Sequence, residues 1–503
     1  MAAAAGMNVK FEEDEKEKVM DNLCNYGSRQ QLGIDVFTKD QCAMIHQAVL
    51  EVLKEVGVDV YNDKALEILK KGGAFVDGRR VRFPAGMVEK ALKSAPSQVT
   101  LYSQDMESKM ILGGKRFYYG PGPTVINTLD PYTGERKIPQ YEDTCRAAKV
   151  MDALPNIDYL MDFGTIDGVE TQVLDVYCFK ALLENSPKPI LHWSYNRENV
   201  EAMIAMGAKV RGGLAELEKY PFFALYSEPI TPLVHENEGL DVMMTMAEHG
   251  LPAVYTSAAQ AGMTAPVTLA GTMVIEVAES LSGLVVNQLI REGAPYVMGG
   301  VCTCVDMGTM QITYSSPEFN LLQGGLSSMS KFYNLPVFTT AGCSDSKCLD
   351  QQSGIDIATS VLMAALYGGN LIHDVGYMES GLLTSLEALV IADEVIGQAK
   401  QIIRGVEVTD ESLAVNVIKN VGPGGNFLSE RQTFEKFKTE WWLPKLFNRK
   451  VFTNWEADGK PELKDLANKK VRKILETHQP KTPTDEIVKD CNKILEDLIQ
   501  SYQ

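Results

Sequence analysis

Eight apolar, strand-like runs recur along the middle of this chain, and their recurrence constrains the fold more than any other feature of the sequence. They occupy residues 117–120, 157–163, 189–194, 222–227, 252–257, 296–302, 336–340 and 370–375. Each is followed by a polar or glycine-rich loop and then a segment whose apolar residues fall at helical spacing. In the last unit the loop is Cys343-Ser-Asp-Ser-Lys347, and Ile357, Val361, Leu362 and Ala365 form the helical stripe. A period of about 30–45 residues is that of strand–helix units, not of a sandwich or a solenoid. Several runs begin at or next to a proline (Pro189, Pro221, Pro252, Pro295, Pro336), which is tolerable where the first strand residue needs no ladder donor. Eight such units match a (β/α)₈ TIM barrel in number and size, with an open doubly wound sheet as the alternative. The expected α/β architecture is thus a barrel over residues 116–403, an N-terminal helical and hairpin cap over 1–115, and a C-terminal helical extension over 404–503.

Within the cap, residues 11–18 read as a solvated charged run. Thr38 can cap a helix carrying Ile45, Ala48, Val49, Leu53 and Val56, closed by Gly57. Residues 65–71 and 84–94 predict two more helices, and a strand at 99–102 leads towards a hairpin over 110–119. Beyond the last strand, residues 382–403 predict a long amphipathic helix.

The chain carries 66 acidic and 48 basic residues, a formal charge of −18. That balance disfavours nucleic acid and anionic membrane surfaces as partners and suits a cationic or zwitterionic substrate. Nine cysteines, scattered and odd in number, do not make a disulfide framework, so a reducing cytoplasm is expected. No uninterrupted apolar run reaches the roughly 18–20 residues of a membrane helix. The stretch before Met7 is too short for the apolar region of a secretory signal.

In parallel α/β folds the site is built past the carboxyl ends of the strands. The residues there are Gly120-Pro-Gly-Pro123; Thr165 and Asp167; Trp193 and Tyr195; Ser227 and Glu228; Thr256, Ser257 and Gln260; Cys302, Cys304 and Asp306; Cys343, Ser344 and Asp345; His373, Tyr377 and Glu379. Trp193, Tyr195 and Tyr377 offer aromatic faces beside Asp167, Glu228 and Glu379. Aromatic faces with carboxylates can cage an ammonium, including one with no hydrogen to donate; rim aromatics that simply fill space are the competing reading. Loops such as Gly120-Pro-Gly-Pro123 allow close approach by something flat, or are tight turns only. Cys302-Thr-Cys304, Cys343, Cys348 and His373 could gather for zinc. Alternate strand residues share a face, however, and no C-x₂-C or H-E-x-x-H is present, so no metal is expected. Of the strand histidines, His373, beside Asp374, has the better claim to a polar role than His192. No dinucleotide fingerprint, phosphate loop or serine elbow occurs.

With these residues in view, the chain resembles the trimethylamine methyltransferase family, and within it the members that lack pyrrolysine and act on quaternary amines such as glycine betaine. The resemblance runs from about residue 35 to 450. It rests on Tyr119-Gly-Pro-Gly-Pro123, Tyr314-Ser-Ser-Pro-Glu-Phe319, Ala341-Gly-Cys-Ser-Asp-Ser-Lys347, Asn370-Leu-Ile-His-Asp-Val-Gly376 and Glu379-Ser-Gly381. It implies a TIM barrel that passes a methyl group from a bound amine to Co(I) of a separate corrinoid protein, from which a downstream enzyme hands it to tetrahydrofolate. It also implies no tightly bound cofactor and a homo-oligomer. Pyrrolysine orients the amine in trimethylamine enzymes; this chain has only standard residues, with Cys343 near where relatives carry it. On this reading His373, Glu228 and Glu379 are catalytic candidates. Trp193, Tyr195, Asp167, Gln260, Ser344 and Tyr377 would bind substrate, with His373, Ser344 and Gln260 as donors to a substrate carboxylate. Gly120, Gly122, Gly342 and Cys343 would let the corrin ring dock. The alternatives are a barrel lyase or hydrolase using His373 and Glu228 as acid and base, and a non-catalytic quaternary-ammonium binder.

Overall fold

The computed structural model describes residues 32–503, so the charged run at 11–18 lies outside the described residues. Seven of the eight apolar runs are strands of one parallel sheet. In chain order they are β1 (Tyr118–Tyr119), β2 (Ile190–Trp193), β3 (Phe223–Ser227), β4 (Ala253–Ser257), β5 (Tyr296–Gly300), β6 (Val337–Thr340) and β7 (Leu371–His373). Their spatial order is β1-β7-β6-β5-β4-β3-β2. Both faces are covered, which is why the runs read as continuous apolar stretches rather than as alternation. Leu191, Ala224, Val254, Val297, Phe338 and Leu371 pack together on one face with Tyr159 and Met161. Their neighbours along the strands, such as Ile190, Tyr255, Tyr296, Val337 and Ile372, pack into the larger core with the helices. This is the two-residue side-chain period of a strand at work.

The eighth run, 157–163, is not a regular strand. It lies between the two sheet edges, where the Asp158 N–H donates to Tyr119 O at 2.7 Å and Leu160 makes a single parallel bridge to Ile190. Two features interrupt it. The Asp158 carboxylate accepts from the Tyr119 N–H at 2.8 Å, and Phe163 turns the chain at φ +64°. An eight-stranded ladder was expected; the sheet has seven.

Helices α1 (Tyr141–Ala153) and α2 (Leu174–Asn185) lie between β1 and β2. One long crossover helix then follows each later strand: α3 (Arg197–Arg211), α4 (Asn237–Glu248), α5 (Leu269–Ile290), α6 (Pro317–Tyr333), α7 (Gln351–Tyr367) and α8 (Leu386–Arg404). Their ends follow local chemistry. Ser316 caps α6 with proline at its first position, Asp350 makes a capping box for α7, and Gly368 closes α7 in the left-handed region. Helix α5 is apolar and long enough to cross a membrane by length and composition, yet it is mostly buried in the fold and carries Glu276 and Glu279.

The expected Thr38 cap is a full capping box with Gln41 at the start of Lys39–Glu51. The hairpin differs from expectation. Val99–Tyr102 pairs with Lys109–Leu112, because Tyr118–Tyr119 is taken into the sheet beside β7. Val99, Leu101, Met110 and Leu112 seal the inner core instead. Of the helices in the C-terminal extension, only Leu463–Thr477 and Asp485–Ser501 bury residues against the body; Val415–Val421, Arg431–Glu440 and Phe452–Ala457 bury none.

Candidate active site

Alternation along the strands carries Trp193, Tyr226, Phe338 and His373 to the carboxyl-terminal end of the inner face. The Tyr226 and Phe338 rings stack at 6.3 Å with 16° between planes, and His373 lies 3.9 Å from Phe338. Tyr195 meets Trp193 edge-on at 4.8 Å. Three carboxyls share this aromatic setting: Asp162, Glu228 and Asp374. Trp193 Nε1 donates to Asp162 Oδ2 at 2.8 Å, and the Thr124 N–H donates to Oδ1 at 3.1 Å. Thr256 Oγ1 donates a long 3.5 Å bond to Glu228. Asp374 follows β7 with φ +70°, a left-handed conformation that costs a non-glycine residue energy and marks positions held for a purpose. Gly122 has to be glycine here. A Cβ would sit 2.0 Å from Asp374 Oδ1 and 2.3 Å from the Tyr377 ring, whose hydroxyl donates to Pro123 O.

Burial pushes the Asp162 carboxyl up to about 7, against the opposing bonds from Trp193 and Thr124, and burial pushes Glu228 to about 7 as well. Burial and then the charge of Glu228 hold Asp374 well above the usual carboxylate range. His373 is driven the other way, to about 3, by burial. Its Nδ1 lies 2.9 Å from Thr339 O and must carry the proton to donate there. Nε2 is then an acceptor, 3.3 Å from Asp374 Oδ1. The contact is therefore not an ion pair, because the imidazole is neutral and offers Asp374 only a lone pair.

The expected residues fall into three groups. Trp193, Tyr195, Glu228, His373 and Tyr377 come together as described. Asp167 does not join them: its loop swings out after the turn at Phe163, leaving it exposed with its N–H on Pro139 O. The acid beside Trp193 is Asp162. Glu379 sits at the rim, paired with Arg136 at 2.5 Å. Gln260 lies in the loop after β4, in a two-residue strand (Gln260–Ala261) opposite Thr303.

Ser344 is buried, with its hydroxyl donating to Asp356 at 2.8 Å. Cys343 is fully buried against Tyr314 O, and burial pushes its thiol well up, so it is not a thiolate. Gly120, Gly122 and Gly342 are buried too. A Cβ on Gly120 would lie 2.4 Å from the Tyr159 ring, and one on Gly342 would meet Val375 at 3.0 Å. Interior packing accounts for all three glycines. Among the described residues, no group of three or more His, Cys, Asp or Glu side chains is placed to hold a metal ion.

Reading the sequence missed Asp162, Tyr226, Phe338 and Asp374. Tyr226 and Phe338 were available from strand alternation with Glu228, and Asp374 from its place beside His373. Asp345 was placed past its strand end, but its role was not read. Its carboxylate accepts from the Tyr314 N–H, Ser315 Oγ and Ser380 Oγ at 2.7–2.8 Å, tying the loops after β5, β6 and β7 together. Three separate sequence motifs meet on that one side chain.

The fold is shared with a monomethylamine methyltransferase from Methanosarcina barkeri, whose crystal structure matches 92% of this chain and 89% of that one with a TM-score of 0.52 at 11% identity. The chain belongs to the trimethylamine methyltransferase (MTTB) family, whose model matches residues 6–500. A trimethylamine methyltransferase of Desulfitobacterium hafniense is 31% identical over 475 residues, covering 93% of this chain and 95% of the relative. A glycine betaine methyltransferase of D. hafniense strain Y51 is 29% identical over 459 residues, covering 90% and 95%. The chain is thus a methyltransferase. The lyase, hydrolase and non-catalytic binder readings give way, and a His373 held neutral to about pH 3 is a poor base in any case.

Proposed function

We propose that this methyltransferase removes a methyl group from a quaternary amine held among Asp162, Glu228 and Asp374, and passes it to the corrinoid of a partner protein. The observation that carries the reading is the buried set of carboxyls enclosed by Trp193, Tyr226, Phe338 and Tyr377 at the strand ends. Aromatic faces and unneutralised acids suit a permanent cation, which gains nothing from hydrogen-bond acceptors placed to bind N–H groups. The corrinoid would supply a strong nucleophile for the methyl carbon. As the N–CH₃ bond breaks, its electron pair stays on nitrogen and the amine leaves neutral, so the chain need provide no proton. Its work is to hold the cation with one methyl group outward and to keep water away. Glu228 and Tyr226 retain some accessible surface and would face the substrate.

Above the acids, exposed apolar side chains stand on successive strand-end loops: Ile126 after β1, Ile230 after β3, Met263 and Val267 after β4, Met307 and Met310 after β5, Leu382 after β7. Such a collar suits a protein that carries a large, largely apolar group to this end of the sheet. The bonds from residues 158–160 to both sheet edges support a closed barrel with an irregular eighth stave. Eight free cysteines among the described residues suit a reducing compartment.

The test incubates the protein with quaternary amines and a reduced corrinoid protein and follows the absorbance of the corrinoid. Substrate-dependent conversion to the methylated form is expected, and it should be lost in Glu228→Gln with the fold retained. Absence of conversion with any quaternary amine would sink the proposal.

A further inference from the structure

A betaine carries a carboxylate close to its cationic nitrogen, and this pocket offers that carboxylate no cationic partner. Of the donors expected for it, Ser344 already donates to Asp356 at 2.8 Å, and His373 spends its one N–H on Thr339 O at 2.9 Å. The nitrogen that His373 leaves free is an acceptor. Gln260 alone remains, on the loop after β4. No lysine or arginine acts on Glu228 or Asp374; burial and Thr256 set the first, burial and Glu228 the second. The basic groups of the neighbouring loops are engaged elsewhere: Arg136 with Glu379, Lys137 with Asp130 and Asp143, and Lys347 with Asp345 O. Asp374, 2% exposed, receives no hydrogen bond from a hydroxyl or backbone N–H of the described residues, and Gly122 leaves its Oδ1 uncovered by any side chain of its own. Above about pH 7, where Asp162 and Glu228 are ionised, a second negative group brought in beside these carboxyls meets repulsion.

We propose that the pocket selects a quaternary ammonium that lacks a carboxylate on a short tether, such as tetramethylammonium or choline, and discriminates against glycine betaine. Like charge built into a site is a direct way to reject a close analogue of the favoured ligand. The inference rests on the reading of this pocket as a cation site, and the experiment separates the two.

The full chain is titrated calorimetrically with tetramethylammonium, choline and glycine betaine at pH 8 and again at pH 6. Choline is expected to bind at least about tenfold more tightly than glycine betaine at pH 8, and by a smaller margin at pH 6, where the carboxyls take up protons. Glycine betaine binding as well as choline at pH 8 overturns the selectivity while leaving the cation site standing. Failure of all three to bind overturns the cation site and the selectivity with it. Asp374→Asn and Glu228→Gln, each checked for an unchanged circular dichroism spectrum, should narrow the choline-to-betaine ratio at least about threefold. A ratio unmoved in both variants assigns the discrimination to shape and overturns the role given to charge.

Discussion

Glu279 and Asp374 are both buried acids of the same fold, and the chain treats them in opposite ways. Glu279, on α5, accepts from Thr231 Oγ1 at 2.9 Å, the Leu233 N–H at 2.6 Å and the Ser257 hydroxyl. It pins the loop after β3 to the end of β4. Asp374 accepts no hydrogen bond at its carboxyl from the described residues, has an acceptor nitrogen of His373 3.3 Å away, and occupies a left-handed backbone conformation. An acid that holds the structure is surrounded with donors, because an unmet carboxyl in the interior is costly. An acid left short of donors amid aromatic rings is prepared for something that arrives later. Glu276 shows that missing donors alone are not enough. Its Oε1 is bare, but it is packed against Gly300 so tightly that a Cβ there would come within 1.8 Å. Glu276 has no room for a ligand on that side.

The contrast can be broken most directly at Glu279. Glu279→Ala strands two hydroxyls and a backbone N–H and should cost about 3–5 kcal/mol of stability, read as a lowered denaturant midpoint. Asp374→Asn removes an unmet acid and should leave stability within about 1 kcal/mol of the parent. Equal losses in the two variants would erase the distinction between a structural and a waiting acid.

The next effect in size is at Gly122. Gly122→Ala drives a methyl group into Asp374 and Tyr377, and a displacement of about 1 Å at a positioned group costs on the order of 100-fold in rate. Turnover with a methyl acceptor should fall by that much while the circular dichroism spectrum is kept. Smaller again is the loss of a carboxyl that a bound cation would ionise: Asp374→Asn should weaken the binding of tetramethylammonium by about tenfold, measured by calorimetry.

Much of this site was open to reading from the residues, and the parts that were not share a physical cause. Seven of the eight strand runs, the helix cap at Thr38 and the aromatic pair Trp193–Tyr195 follow from local pattern, and they stand where the pattern puts them. The acid beside Trp193 was misplaced by five residues because position past a strand end was used as a guide to Asp167. The backbone turn at Phe163, which decides which acid points inward, leaves no mark in composition. The hairpin was shifted because Tyr118–Tyr119 could pair locally or with β7, more than 250 positions later, and the long-range partner won. Ser344 looked free because its partner Asp356 comes from the following helix, facing back across the loop. Polar residues at a strand end announce that chemistry is possible; which of them are already satisfied is a property of packing.

The finest test of the contrast lies in its pH dependence. Burial raises Asp162 and Glu228 to about 7, well above their values in the unfolded chain. Over the interval between the ordinary carboxylate pKa and about 7, the folded state binds more protons than the unfolded one. The empty protein should therefore lose stability as pH rises through that window and level off above it. A bound cation favours the ionised carboxyls and reverses the trend, so the rise in Tm on adding tetramethylammonium should grow with pH. Between pH 8 and pH 6.5, each acid that must ionise to hold the cation should weaken its affinity about threefold to fourfold. Glu228→Gln should remove one such factor and leave the share of Asp162. Glu279→Gln, whose parent carboxyl sits among donors remote from the ligand, should leave the ligand's pH dependence unaltered while lowering Tm throughout. A pH-independent gain in Tm would mean that aromatic faces alone hold the cation, and the unmet acids would then need another explanation.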